Sequence, residues 1–552
     1  MTKKLESYMI PLTELFSQKF FFRIPDYQRP FLWDAEHFTE LLEDLTSADS
    51  DEPYFMGTLV LHRYKTSEYD IVDGQQRLTA LCILIACIRD APAISDNAAI
   101  VNELHEKIIQ PERVLDNVPA RDRLQVKDQK VFNSLVAKKG GAATPAPYTG
   151  TPTASEERYE LARLIFWGAI SKMSDSEVRR LAGIVTQKCH VIYLATDSFE
   201  DAFRLFSVVN DRGKQLRRID VLKAHNLGPQ YVPNEASRAK YASDWEAMEN
   251  QLGEADFEEI FHLLRLMYVK EKPQADLQSE FANRIFNKAG MPTPGDEFMD
   301  DLRRSVDLYD ALFIARDFLD SADGKSARYH TLMEAMVEHF TASEWKACLL
   351  AFVKKYGKDD LYRFVLHIEK VYLDHWVRGV RKDERYGTYT ALLKAIESTS
   401  TAGEFLGRIT VDVTTIQNAC RATNFYGAGH AKYLLVRAEI VASEMDHPHH
   451  YTVRSIEHVL PQNPASDSLW AQIFTDAEHA ALVNTAGNLV LLSKSKNSSA
   501  GRKDFEEKKK GYLKPRVSDF PRSVQVLDYD HWSADVIRKR TEDFAADVLT
   551  DP

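Results

Sequence analysis

Two short stretches carry residue types at spacings that suit phosphate chemistry. The first is Asp73-Gly74-Gln75-Gln76-Arg77, set between a strand pattern at Tyr69 to Val72 and an apolar helical run at Leu78 to Ile88. A strand that breaks at Asp-Gly and restarts as a helix leaves unpaired backbone N–H groups at the helix start, where an anion is favoured. Arg77 adds a planar fork of donors for phosphate oxygens, Asp73 can hold a metal ion or a water, and the glutamines supply neutral donors and acceptors. The competing reading is a tight turn in which Arg77 and Asp73 pair with each other.

The second stretch, Arg454 to Pro461, reads Arg-Ser-Ile-Glu-His-Val-Leu-Pro, an alternating strand with Glu457 and His458 side by side. Ala486 to Leu492 follows as a second strand entered through Asn488, and a polar helix starting near Ser495 carries Asn497 in its first turn. A histidine can deprotonate water, a neighbouring carboxylate can hold a divalent cation, and an asparagine can fix the imidazole. Strand with His, strand with Asn, helix with Asn therefore points to phosphodiester hydrolysis. A lone Glu-His pair on a strand is more often structural, so the weight lies on the combination. His447, His449 and His450 form a rival metal cluster, but their loop setting lacks the spacing of a ligand set.

These residues need a frame. Phe20 to Trp33 contains Pro25 and Pro30, which hold the chain extended and put Tyr27, Gln28 and Arg29 on an irregular loop able to stack on a base and grip a phosphate. Asp34 is an N-cap for a helix carrying Phe38, Leu41, Leu42 and Leu45, and Tyr54 to His62 reads as a strand in which Gly57 permits a close approach. Gly140, Gly141, Pro145, Pro147, Gly150 and Pro152 mark residues 138–157 as a flexible insertion. Val191 to Ala195 reads as a strand, Ser198 caps the next helix, and Asn210, Arg212 and Lys223 surround a Gly-containing turn at Val209 to Leu216. From Tyr231 to Ser400 apolar stripes at helical spacing dominate, a scaffold without evident chemistry.

At 552 residues the chain exceeds one core, and 44% hydrophobic with 28% charged residues is ordinary for a soluble globular protein. The net charge of -12 excludes a surface that coats nucleic acid indiscriminately. DNA contact must be local, and Lys494, Lys496, Arg502, Lys503 and Lys508 belong to a basic island at Lys494 to Arg516. Cys82, Cys87, Cys189, Cys348 and Cys420 form no C-x-x-C pair, which argues against a disulfide framework or a cysteine zinc site. No apolar run is long enough for a bilayer and no signal-peptide pattern opens the chain, so a cytoplasmic protein is expected, with no membrane partner.

Pro25-x-Tyr27-Gln28-Arg29, Asp73 to Arg77 and Val209-Asn-x-Arg-Gly-x-x-Leu216 together resemble the N-terminal domain of GmrSD-type modification-dependent (type IV) restriction endonucleases. Ile456-Glu-His-x-Leu-Pro461, Gly487-Asn-Leu-x-Leu-Leu492 and Asn497 resemble their C-terminal HNH-like nuclease domain, and SspE-like antiphage effectors are similar. The resemblance implies an α+β, mostly helical chain: residues 1–230 as a ParB/sulfiredoxin-like nucleotide-binding and modification-sensing domain, 231–400 as helical scaffold, and 401–552 as a helical domain carrying a ββα-metal motif. It implies Tyr27, Gln28, Arg29, Asp73, Gly74, Gln75, Gln76 and Arg77 as the nucleotide site, with Asn210 and Arg212 bordering it. His458 would be the general base, Asn488 its orienting partner, and Glu457 and Asn497 ligands of Mg²⁺ or Mn²⁺. Arg217 and Arg218 stand where the family more usually has a small polar residue, a departure at the third motif. The implied activity is cutting or nicking of modified phage DNA, regulated by GTP or ATP hydrolysis, with a homodimer among the assemblies expected. The alternative is a nucleotide-dependent DNA-binding switch with a degenerate nuclease site.

Overall fold

The computed structural model describes the chain apart from residues 1–4, 26, 50–51, 117, 146–147, 149, 199–200, 203–204, 207–216, 287, 320–324, 494–501, 514–519 and 552. It is α+β and mostly helical, in two compact units, Met1–Trp245 and Glu246–Pro552. The region expected as scaffold therefore falls largely into the same unit as the C-terminal region. Among the described residues no helix is long and apolar enough to cross a membrane.

Strands β1 (Leu5–Pro11), β2 (Phe21–Arg23), β3 (Tyr54–Lys65), β4 (Glu68–Asp73), β7 (Leu124–Gln125) and β8 (Cys189–Thr196) form a mixed sheet in the order β1-β8-β3-β4-β2-β7. The short strands β5 (Ile109–Gln110) and β6 (Arg121–Asp122) pair separately. The pairs β3/β8, β2/β4 and β2/β7 are parallel, whereas β1/β8 and β3/β4 are antiparallel. Leu78 to Ile88 has no polar face, so the helix Gln75–Arg89 must be covered all round. It is: Leu78, Leu81, Ile83, Leu84, Ile85, Cys87 and Ile88 are buried, and the helices Ala98–Ile108 and Ala154–Ile170 contact it. A helix so fixed gives its N-terminus, and the motif there, a rigid mount.

Local signals hold at several helix starts. Asp34 caps Ala35–Ser47 in a capping box with His37, and Thr153 caps Ala154–Ile170 with Glu156. Within residues 138–157, expected as a flexible insertion, Ala142 is tied down: Asp90 accepts its N–H at 3.0 Å and Arg163 donates to its carbonyl at 3.2 Å. Composition marked the turns but not the buried arginine that takes the Ala142 carbonyl.

The second unit is helical except for β9 (Ser455–His458) and β10 (Leu489–Leu492), an antiparallel pair with His458 opposite Leu489 and Glu457 opposite Val490. Directly opposed residues share a face, and neighbours along a strand point to opposite faces. Glu457 therefore lies on the face of Val490, which joins Val459, Leu460, Trp470, Phe505, Trp532 and Ile537 in one apolar cluster. His458 lies on the other face.

Candidate active site and nucleotide site

In the first unit, Gly74 has φ +93° and N-caps the helix Gln75–Arg89 with no side chain of its own to cap the first turn, a setting in which an anion is favoured. A Cβ at Gly74 would stand 2.2 Å from the Leu59 side chain, so both backbone and space demand glycine. Asp73 accepts from the Gly74 N–H, and the charges of Arg77 and Arg29 both act on it; burial nevertheless outweighs them and pushes its carboxyl up from the usual range. Burial likewise lowers Arg77, against the opposing charge of Asp73. The close approach expected at Gly57 is made by Arg77 itself: its guanidinium lies 3.1 Å from where a Gly57 Cβ would be and donates to the Thr58 carbonyl at 3.1 Å. Gln75 donates to the Arg29 carbonyl at 3.1 Å, while its buried Oε1 has no partner among the described residues. The structure thus brings Arg29, Asp73, Gly74, Gln75 and Arg77 together.

Two expected nucleotide contacts are corrected. Gln28 donates to the carbonyls of Ile71 and Val72, and Gln76 accepts from the N–H groups of Leu32 and Trp33 while donating to the Pro30 carbonyl. Both amides staple the 25–33 loop to the end of β4 and the helix start, so they hold the site's wall. Tyr27 is buried and lines a separate polar crevice of about 290 Å³ with Arg23, Asp70, Gln125 and Arg238. Asn210 and Arg212 lie outside the described residues.

Because the folded state raises the Asp73 pKa, the fold favours its neutral form and loses stability as pH rises through the folded value. Asp73→Asn is therefore expected to melt higher than the wild type near neutral pH, with the difference vanishing below the usual carboxylate range. Melting curves at both pH values check this; a lower melting point at neutral pH would contradict it.

In the second unit, His458 ends β9 with Nε2 3.0 Å from the Asn484 Oδ1, which also accepts from Gln462 at 3.3 Å. An amide oxygen accepts, so in this contact the ring donates from Nε2. Tyr426 packs edge-on against the imidazole, ring centroids 4.4 Å apart, and its N–H bonds the Asn484 carbonyl at 3.0 Å. Tyr426 is 39% exposed and His458 only 2%, so the ring is sheltered, yet by polar neighbours.

Asn488, expected from sequence to orient the imidazole, bonds other groups instead. Its Oδ1 accepts from the Leu460 N–H at 2.7 Å and the Trp532 indole at 3.1 Å, and its Nδ2 donates to the carbonyls of Leu460 and Val483 at 3.0 and 2.8 Å. With four bonds the amide is saturated, clamping the turn after β9. Asn484, which the sequence reading missed, takes the orienting place; nothing but the fold distinguishes these two asparagines four residues apart.

Glu457 is corrected too: its carboxylate is fully buried 3.0 Å from the Lys508 ammonium, which repels a cation from that position. Lys508, expected to grip DNA, is equally buried and also donates to the carbonyls of His458 and Val459 at 2.7 and 3.0 Å. Arg502 and Lys503 are exposed as DNA contacts require, whereas Lys494, Lys496 and Asn497 lie outside the described residues. Among the described residues no three His, Cys, Asp or Glu groups converge as cation ligands, the 447–450 histidines included. The described donors do not complete a divalent site.

Residues 12–227 match the family model for the N-terminal domain of GmrSD restriction endonuclease, and residues 411–547 match the model for the C-terminal domain of GmrSD restriction endonucleases. The chain belongs to the GmrSD restriction endonuclease family. No curated protein matches it significantly. The GmrSD N-terminal match contains the whole strand–glycine–helix motif, and the C-terminal match contains His458, Asn484, Asn488, Glu457 and Lys508. A restriction endonuclease role, with DNA as partner, follows from membership.

Proposed function

We propose that this protein is an antiphage, modification-dependent DNA endonuclease or nickase, cytoplasmic, in which NTP binding and hydrolysis in the first unit regulates phosphodiester cleavage in the second. The observation that carries the nuclease reading is the His458–Asn484 contact of 3.0 Å at the end of β9, within the matched C-terminal region. Nδ1 of His458 takes the proton of a water attacking the scissile phosphate, while Asn484 holds the tautomer and ring plane. Exposed Arg502 and Lys503 bind the flanking phosphates, and Tyr426 is one of the groups that a phosphodiester must pass. In the first unit the uncapped N-terminus of the helix Gln75–Arg89 receives the triphosphate, with Arg29 and Arg77 neutralising its charge and Asp73 acting on the hydrolytic water.

A divalent cation, Mg²⁺ or Mn²⁺, belongs to the proposal through the resemblance alone, and no step above passes through it. One observation favours the alternative, a nucleotide-dependent DNA-binding switch: the shelter of His458, 2% exposed.

The separating experiment incubates purified protein with modified and unmodified DNA, with and without GTP or ATP, in Mg²⁺, Mn²⁺ or EDTA. Cleavage confined to modified DNA, dependent on triphosphate and stopped by EDTA, is expected. Salt-dependent DNA binding that survives EDTA without cleavage in any arm would establish the switch instead.

A further inference from the structure

We infer that Lys508 and Glu457 are a positioning pair for the proposed cleavage, setting the strand end that presents His458; the inference rests on the reading of His458 as base. The ammonium has three N–H donors, and among the described residues it meets Glu457 Oε1 at 3.0 Å, the His458 carbonyl at 2.7 Å and the Val459 carbonyl at 3.0 Å. In a regular strand successive carbonyls point to opposite edges, so one donor cannot collect two in a row. That it does so here means that the backbone turns at His458, where β9 ends.

From the other side Asn488 receives the Val459 and Leu460 N–H groups on its carbonyl and side-chain oxygens, at 3.0 and 2.7 Å. The turn is held on both sides, and the imidazole it presents meets Asn484. Neither a methionine nor a neutral amide gathers three acceptors at one point. The carboxylate makes the buried ammonium tolerable, which is why the pair is ionic in the middle of an apolar cluster. Lys508 also ends the short helix Phe505–Lys508, so the bond links the chain after the Asn497 segment to the histidine strand fifty residues earlier.

The pair differs from a metal ligand with a phosphate contact in its couplings. Lys508→Met, Glu457→Gln and the double variant are compared with wild type in the full chain, by single-turnover cleavage of modified DNA at saturation, DNA affinity against salt, and thermal melting. Lys508→Met is expected to slow cleavage roughly 100-fold per folded molecule, the scale of a small misplacement of a reacting group, with DNA affinity and its salt slope unchanged. Glu457→Gln slows it as well, and the double variant loses less than the product of the singles. Lys508→Arg, which keeps the charge but cannot focus it on three acceptors, is also slow, and serves if the methionine variant does not fold.

A salt slope reduced by about 1 in Lys508→Met would make it a phosphate contact and overturn the inference. So would lower melting with an unchanged rate per folded molecule, or multiplicative losses in the double variant. A wild type that cuts no DNA would instead remove the endonuclease reading itself.

Discussion

Gly487→Ala is expected to destabilise the second unit by on the order of 3 kcal/mol and to abolish cleavage with it. A Cβ there would lie 2.2 Å from the Ile537 carbonyl oxygen, 2.5 Å from Thr541 Oγ1 and 2.7 Å from Thr541 N, and two of these are backbone atoms of one helix. The helix Ala534–Asp547 cannot yield locally, because Thr541 accepts the Gly487 N–H at 3.1 Å and Arg540 donates to the Gly487 carbonyl at 3.0 Å. Relief requires shifting the helix off the turn Ala486–Asn488, and with it the Asn488 amide that clamps the histidine turn. Thermal or urea unfolding measures the loss. A variant that melts like wild type would mean that the helix does not press on Gly487.

Much of this arrangement is legible in the sequence because it is local. The run Leu78 to Ile88 has no polar face, so a buried helix after Asp73-Gly74 follows directly, and Glu68–Asp73 and Ser455–His458 fall within a few residues of the strands read at Tyr69 to Val72 from an apolar run and at Arg454 to Pro461 from alternation. What is illegible depends on direction and on distance along the chain. Glutamine has both a donor and an acceptor, so Gln28 and Gln76 read as ligands for a nucleotide when their partners are backbone groups of the 25–33 loop and β4. Lys508 stands in a charged run, the usual mark of a solvated face, and only the register of β9 on β10 shows that Glu457 points inward to meet it. Asn484 and Asn488 stand four residues apart, and only the fold shows that the first meets the imidazole while the second bonds the Leu460 backbone.

His458→Ala is expected to lower single-turnover cleavage about 10²–10⁴-fold, the usual worth of a general base, while DNA affinity and triphosphate hydrolysis stay within a factor of two. The clamps of Asn488 and Lys508 are made to backbone groups of the turn and not to the imidazole that meets Asn484 and Tyr426, so they stay in place when the ring is removed. The strand should keep its position and the exposed Arg502 and Lys503 their reach. On the proposed reading triphosphate hydrolysis belongs to Asp73 and its arginines in the other unit, and the expected result is that it is unchanged by the loss of the imidazole.

The most direct measurement is single-turnover cleavage of modified DNA by wild type and His458→Ala at equal, saturating occupancy, with triphosphate hydrolysis followed in the same tubes. Cleavage by the wild type, a rate lower by about 10²–10⁴-fold in the variant, and equal triphosphate turnover is the predicted result. Undiminished cleavage by His458→Ala would contradict the assignment of the base.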